Sequence, residues 1–354
     1  MKNIYVHLLE LHATCPSLVL ATVTRSTGST PQKPGSSAIF GKNGLISGTV
    51  GGGILEAKVQ EISQKALMSE DSSQPAFSLN KEAPDGEDAL CGGHISVLID
   101  SNPFKYLSVY EEIKRSANDK MPGVLITMIT GSEEEKVHIS RYWMTENNKP
   151  AIPHQYIQKI EQGVNNILAK LDPAGFRELE ISTPGEEQSS LFLLEPVFPP
   201  PSLVIAGAGH IGKALAHLGH LLDFEVTVID DRPEFANRNN LPDADCIVVE
   251  DIGKAFQKLK TDSDTYIVIV TRGHKDDTAA LKACIGYEAA YIGMIGSKNK
   301  ISTMRRTFIE NGWTDEQRWK KIHAPVGVDI NSKTVEEIAV SIAAQLVKVK
   351  NTKG

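Results

Sequence analysis

In the second half of the chain, short unbroken apolar or β-branched runs alternate with stretches whose apolar residues recur at helical spacing. The runs are Leu203–Ala206, Glu225–Ile229, Cys246–Val249, Tyr266–Val270 and Tyr291–Met294. Runs of this kind fit strands buried on both faces of a parallel sheet. Ile211–Leu222 and Thr278–Tyr287 between them read as amphipathic helices. A last helix over Thr334–Val349 places Val335, Ile338, Ala339, Ile342, Leu346 and Val349 on one face. Thr334 and Glu337 have the spacing of a capping box at its start. This alternation predicts an α/β class, with a Rossmann-like doubly wound parallel sheet over residues 202–354.

The run Pro199-Pro200-Pro201 cannot lie inside a helix or a central strand and reads as a stiff linker. The pattern before it is less regular. Leu18–Thr24, Ser37–Phe40, Leu45–Val50 and His94–Asp100 read as strands and Ile54–Met68 as a helix, all within a core of residues 1–100. A middle segment, 101–198, adds helices at Tyr106–Ala117 and Gln155–Leu171 and extended stretches at Gly123–Ile129 and Lys136–Trp143. Residues 1–198 are therefore expected to form an N-terminal α+β domain.

The 354 residues suffice for two or three domains at about 100–200 residues each. With 37 basic against 44 acidic side chains, the net charge of −7 lacks the basic footprint of a nucleic-acid binder. The longest apolar runs, Val124–Ile129 and Tyr266–Val270, are far too short to span a membrane. Lys2, His7, Glu10 and His12 interrupt the start, so no secretory leader is expected and a cytoplasmic location is the default. The four cysteines, Cys15, Cys91, Cys246 and Cys284, make no C-x-x-C pair. Neither a zinc knuckle nor a disulfide framework follows from them.

Candidate chemistry gathers at glycine-rich junctions. Gly207-Ala208-Gly209-His210-Ile211-Gly212 follows a predicted strand and opens a helix, the context a dinucleotide fingerprint requires. Its glycines, Gly207, Gly209 and Gly212, allow a sharp turn and close approach to a phosphate, and the helix start offers free N–H groups. Asp230 and Asp231 end the next strand, and an acidic residue there can hold ribose hydroxyls. Arg272 and His274 follow the strand Tyr266–Val270; both can hold an anion, and a histidine there can titrate near neutrality. Gly51, Gly52 and Gly53 form a second strand-to-helix glycine junction, with Glu56 in the first turn of that helix. Arg25 opens a polar turn, Arg25–Pro31, that can contact a phosphate or a pterin edge. Cys91, flanked by Gly92 and Gly93, is the most approachable thiol, whereas Cys246 in an apolar strand reads as a core thiol. A thiolate is a soft ligand, which makes Cys91 the candidate metal contact.

Three blocks together resemble a known family. They are Arg25–Pro31 with Gly48–Lys58; Leu90–His94; and the C-terminal unit from Val204 through Asp230-Asp231-Arg232, Thr271–Asp276, Tyr291–Ser297 and Gly327-Val328-Asp329-Ile330. The chain is similar to the xanthine dehydrogenase accessory proteins of the XdhC/CoxI type. The resemblance implies a carrier of the molybdenum cofactor, a molybdopterin with a terminal phosphate, transiently bound. Such a carrier protects the sulfurated cofactor and delivers it to a xanthine dehydrogenase-type molybdenum hydroxylase of purine catabolism. It also implies a cysteine desulfurase as sulfur donor; a homodimer is expected separately, because soluble oligomers are commonly two-fold symmetric. By the same resemblance Cys91 meets molybdenum or its sulfur. Arg25 and Gly51–Gly53 line one side, and Gly207, Gly209, Gly212, Asp230 and Arg272 the other. Four cysteines cannot supply the iron–sulfur array of the hydroxylase itself. The fingerprint by itself leaves an NAD(P)-dependent oxidoreductase as the alternative, with His274 its one evident acid or base, and a regulatory or scaffolding dimer as a third.

Overall fold

The helices each bury an apolar face, the central parallel strands bury both of theirs, and the proline run marks where one unit ends and the next begins. A computed structural model describes residues 3–79, 93–131, 136–169, 175–182 and 189–352. The chain divides into two units, residues 1–199 and 200–354.

The first unit runs α1 (Ile4–His12), β1 (Val19–Gly28), β2 (Ser37–Gly41), β3 (Gly44–Gly48), α2 (Gly53–Ser69), β4 (Ala76–Ser78), β5 (Gly93–Asp100), α3 (Leu107–Asn118), β6 (Gly123–Thr130), β7 (His138–Met144), α4 (His154–Leu168), β8 (Arg177–Ile181) and β9 (Ser190–Val197). Two antiparallel sheets result, in the orders β3-β2-β1-β5-β4 and β7-β6-β9-β8. Helix α2 buries Leu55, Val59 and Ala66 against Val19, Ala21 and Val97 of the first sheet. Helix α4 buries Tyr156, Ile160 and Val164 against Val124, Phe192 and Leu194 of the second. A further cluster joins Leu20, Ile39 and Leu98 to Leu125, Trp143 and Leu193. The first hundred residues and the middle segment therefore share one core.

This core also encloses charge. Arg141 on β7 is ion-paired with Asp100 and hydrogen-bonded to Tyr110, and its Nε has no partner among the described residues. Nearby, the Tyr5 hydroxyl donates to Glu195 at 2.5 Å. Burial pushes the Glu195 carboxyl up to about 7, against the opposing pull of Tyr5 and Arg141.

One sequence expectation changes here. Arg25–Gly28 is strand, not turn: these residues pair with Ser96 to Gly93 of β5 after a register shift beyond Val23. Arg25, Thr27 and Gly28 are exposed, so their polar character matches a strand end that buries little rather than a loop. The ladder to β5 supplies the hydrogen bonds that composition could not reveal.

The second unit runs β10 (Ser202–Ala206), α5 (His210–Leu221), β11 (Glu225–Asp230), β12 (Cys246–Val249), α6 (Ile252–Lys258), β13 (Thr265–Ile269), α7 (His274–Cys284), β14 (Tyr291–Met294), α8 (Lys298–Glu310), α9 (Glu316–Trp319), β15 (Ile322–His323) and α10 (Val335–Thr352). Its six strands are parallel, in the order β12-β11-β10-β13-β14-β15. This is the doubly wound Rossmann arrangement, and the order reverses between β10 and β13. Helices α5 and α10 cover one face through Leu215, Ala339, Ile342 and Leu346. Helices α6, α7 and α8 cover the other through Phe256, Leu281, Met304 and Phe308. The capping box forms: the Glu337 N–H donates to Thr334 Oγ1 at 3.2 Å, and the Thr334 N–H to Glu337 Oε2 at 3.1 Å.

The cysteines need a second correction. Cys246 is exposed and Cys284 is buried. Strand β12 is the edge of the sheet, and its first residue faces out despite the apolar run. Burial pushes the Cys284 thiol up to about 12, so it is chemically quiet. Among the described residues no helix is long and apolar enough to cross a membrane.

Candidate functional site

The reversal of strand order opens a crevice at the carboxyl ends of β10 and β13, where ligands of doubly wound sheets bind. Gly207 makes the turn out of β10 with φ +114°, and a Cβ there would stand 2.5 Å from the Val270 carbonyl oxygen. Only glycine lets the loop after β10 lie against the loop after β13. At Gly212 a side chain would collide with the Gly207 carbonyl, so helix α5 can seat only on a glycine. Gly209 differs: it caps α5 without a side-chain hydrogen bond, and a Cβ there would meet nothing within 4 Å. The backbone at Gly209 is thus open to an incoming group, as a phosphate cradle requires.

Asp230 ends β11 and is 2% exposed. Its Oδ2 accepts the Ala208 N–H at 2.7 Å and an Arg232 N–H at 2.8 Å. Its Oδ1 accepts the Arg232 backbone N–H at 3.0 Å and its Nε at 2.8 Å. Burial opposes its ionisation, but the Arg232 guanidinium and the two backbone donors hold the carboxyl below the usual carboxylate range. Asp230 thereby braces the glycine loop from beneath.

Arg272 and His274 lie on the other side of the crevice. Arg272 Nη2 reaches Asp231 Oδ2 at 3.4 Å, and its Nε reaches Asp276 Oδ2 at 3.4 Å. His274 is the exposed first residue of α7. Behind them lies a group that the sequence did not single out. Asp277 is fully buried, accepts the Thr271 hydroxyl at 2.5 Å and is ion-paired with Lys300 of α8. The available signal was the position of Asp277 in the first turn of a helix after a carboxyl edge, but nothing in a single sequence ties it to Lys300. A cavity of about 410 Å³ lies over α5, lined by His210, Lys213, His217, Leu241, Asp243 and Glu336.

The first unit carries the second glycine junction. Gly51 has φ +136° and packs so tightly on Pro31 that a Cβ would stand 2.7 Å from its ring. Gly52 and Gly53 have φ of +68° and +55°, with open space where a side chain would point. Glu56 Oε2 accepts from the Thr49 hydroxyl at 2.7 Å and the Val50 N–H at 3.3 Å, which fixes the approach to α2. Gly93 packs on the Thr27 and Ser29 carbonyls, 2.5 and 2.7 Å from its would-be Cβ. The stretch from Thr27 to Pro31 therefore touches both Gly51 and Gly93. Arg25 is ion-paired with Glu178. Cys91 lies outside the described residues, and among those described no cluster of histidine, cysteine and carboxylate side chains could hold a metal ion.

Residues 15–76 match the model of the XdhC and CoxI family, and residues 203–346 match that of the XdhC Rossmann domain. The two matches take in both glycine junctions and, together, more than half of the chain. The chain belongs to the XdhC and CoxI family. A Bacillus subtilis relative, described as a probable component of xanthine dehydrogenase, is 25% identical across 99% of this chain and 98% of its own length. The Escherichia coli protein YqeB is 34% identical over 152 residues, 43% of this chain; the aligned part is only 28% of YqeB. A crystal structure described as a xanthine dehydrogenase from Bacillus halodurans has the same fold. It superposes with a TM-score of 0.76 at 24% identity, covering 99% of this chain and 96% of that one.

Proposed function

We propose that this XdhC-family chain is an accessory protein for a xanthine dehydrogenase-type molybdenum hydroxylase. Its cargo is the molybdenum cofactor, which it protects in sulfurated form and delivers. The observation that carries this reading is the pair of uncapped glycine helix starts at Gly52–Gly53 and Gly209. Each offers bare backbone N–H groups to a phosphate, and the cofactor has a terminal phosphate to place there. The Bacillus subtilis relative, aligned along its whole length and described as a probable component of xanthine dehydrogenase, points to the same client. In this reading Cys91 contacts the molybdenum or its sulfur, a cysteine desulfurase supplies that sulfur, and the carrier works as a homodimer. Arg272, loosely paired and exposed, is a cation available to the phosphate.

Anaerobic incubation with molybdenum cofactor, followed by native mass measurement, tests the reading. Stoichiometric uptake without turnover is expected, with Cys91→Ser weakening retention or transfer to a hydroxylase apoenzyme. Absence of any cofactor adduct rejects the carrier role. An adduct that Cys91→Ser and Cys91→Ala both leave unchanged removes the thiol from it.

A further inference from the structure

Helix α5 turns His210, Lys213 and His217 to one side, because residues three and four apart share a helix face. That side forms one wall of the cavity of about 410 Å³. The turn before β12 supplies a second wall with Leu241 and Asp243, and the first turn of α10 a third with Val335 and Glu336. The volume is that of a small-molecule site, about 300–1,000 Å³. The cavity is not the crevice at the carboxyl ends of the strands: neither a glycine of the fingerprint nor Asp230, Asp231 or Arg272 lines it.

The polar groups in these walls are unequally committed. His217 Nδ1 donates to Asp243 Oδ2 at 2.9 Å, a pair that ties α5 to the turn before β12 and occupies both groups. Lys213 and Glu336 are exposed, and among the described residues their side chains make no ion pair or hydrogen bond, not even with each other. His210, one turn before Lys213, is equally unengaged among those residues. Beneath them Ala216 and Leu241 are each 1% exposed and belong to the core under α5 and α10, so the floor is apolar and fixed. Two free charges of opposite sign thus stand over a rigid hydrocarbon floor.

We infer that this cavity binds a small zwitterion with an apolar body, of the class of the apolar α-amino acids. Its carboxylate meets Lys213, with His210 beside it, its ammonium meets Glu336, and its hydrocarbon covers Ala216 and Leu241. A ligand with one charge would cover either Glu336 or Lys213 without answering it, and taking an unpaired charge out of water is costly. The His217–Asp243 pair is a positioning element that holds the second wall against the first. No bond is made or broken in this binding. The site contains no glycine of either junction, so it stands or falls independently of the carrier role.

Calorimetric titration of the full chain with L-phenylalanine, 3-phenylpropanoate and 2-phenylethylamine tests it, in the wild type and in Lys213→Met, Glu336→Gln and Arg272→Gln. The three probes share one ring and differ in the charges they carry. Phenylalanine is expected to bind about tenfold more tightly than either single-charge probe, about 1.4 kcal/mol for each charge answered. Lys213→Met should remove the advantage over 2-phenylethylamine, and Glu336→Gln the advantage over 3-phenylpropanoate. Both should keep the melting temperature, because neither side chain supports another. Arg272→Gln, in the crevice, should leave phenylalanine affinity unchanged. Phenylalanine that binds no better than its single-charge analogues, or an advantage that survives either cavity substitution, overturns the inference. So does the absence of saturable phenylalanine binding, and so does a loss of affinity in Arg272→Gln, which would move the ligand to the crevice.

Discussion

The Asp230 carboxylate accepts the N–H of Ala208 at 2.7 Å, so the end of one strand holds up the phosphate loop of its neighbour. Asp230→Ala leaves that buried N–H without a partner and removes the anchor of Arg232. The expected loss is about 1–3 kcal/mol, with faster hydrogen exchange at Ala208. The pH dependence has a definite sign. The folded carboxyl titrates below its unfolded value, so its stabilisation is present above the unfolded pKa and is lost as pH falls through the folded one. Denaturation curves that match the wild type at neutral pH, with unchanged Ala208 exchange, would refute this role.

Gly207 and Gly209 stand two residues apart and do different jobs. Gly207→Ala puts a side chain at φ +114° and 2.5 Å from the Val270 oxygen, a strain of about 1–3 kcal/mol. Gly209→Ala meets open space at φ −69° and should cost under about 1 kcal/mol at this cap position. The binding effects should run the other way. In Gly209→Ala, pyrophosphate affinity should drop severalfold with the melting temperature nearly unchanged. A Gly209 variant that binds pyrophosphate as well as the wild type would show that the open side of the loop is not where the anion goes.

The parallel sheet was legible because its inner strands β10, β13 and β14 are nearly continuous apolar or β-branched runs buried on both faces, although β12 carries a similar run at an exposed edge. The glycine fingerprint likewise announced its loop, because Gly207 and Gly212 each answer a specific clash. The commitments of side chains across the fold were not legible. Arg25 meets Glu178 and Lys300 meets Asp277 over long sequence distances, and no local pattern encodes those pairs. Asp230 shows the same limit in another form: its place after Gly207 suggests a ribose ligand, while its bonds are spent on Ala208 and Arg232.

Cys246 and Cys284 should separate cleanly in thiol labelling. Cys246 faces out at the first position of edge strand β12, and Cys284 is fully buried with its thiol pushed up to about 12. Under native conditions a peptide-mapped alkylation experiment should modify Cys246 within minutes and spare Cys284 until the unit unfolds. Modification of Cys284 at the same rate as Cys246 would mean that α7 opens far more often than its packing against α6 and α8 allows.

Glu195 should make the first unit less stable as pH rises toward neutrality. Tyr5 of α1 and Arg141 of β7 act on it directly, Tyr110 of α3 lies in the same cluster, and Asp100 of β5 holds Arg141. One guanidinium cannot neutralise two buried carboxylates, and Asp100 already holds it directly. Glu195 therefore keeps its proton to about 7 in the folded chain, against an ordinary 4.5. The folded state binds this proton more tightly than the unfolded state does, so the stabilisation is full below the unfolded pKa. It is lost as pH climbs through the folded value, with a total of about 3 kcal/mol. Glu195→Gln keeps an acceptor for the Tyr5 hydroxyl and removes the titration. Urea denaturation at steps from mildly acidic to mildly alkaline pH should show the wild type weakening across this window while the Gln variant stays level. If both proteins trace parallel profiles, Glu195 is ionised throughout and the buried cluster is balanced by some other proton.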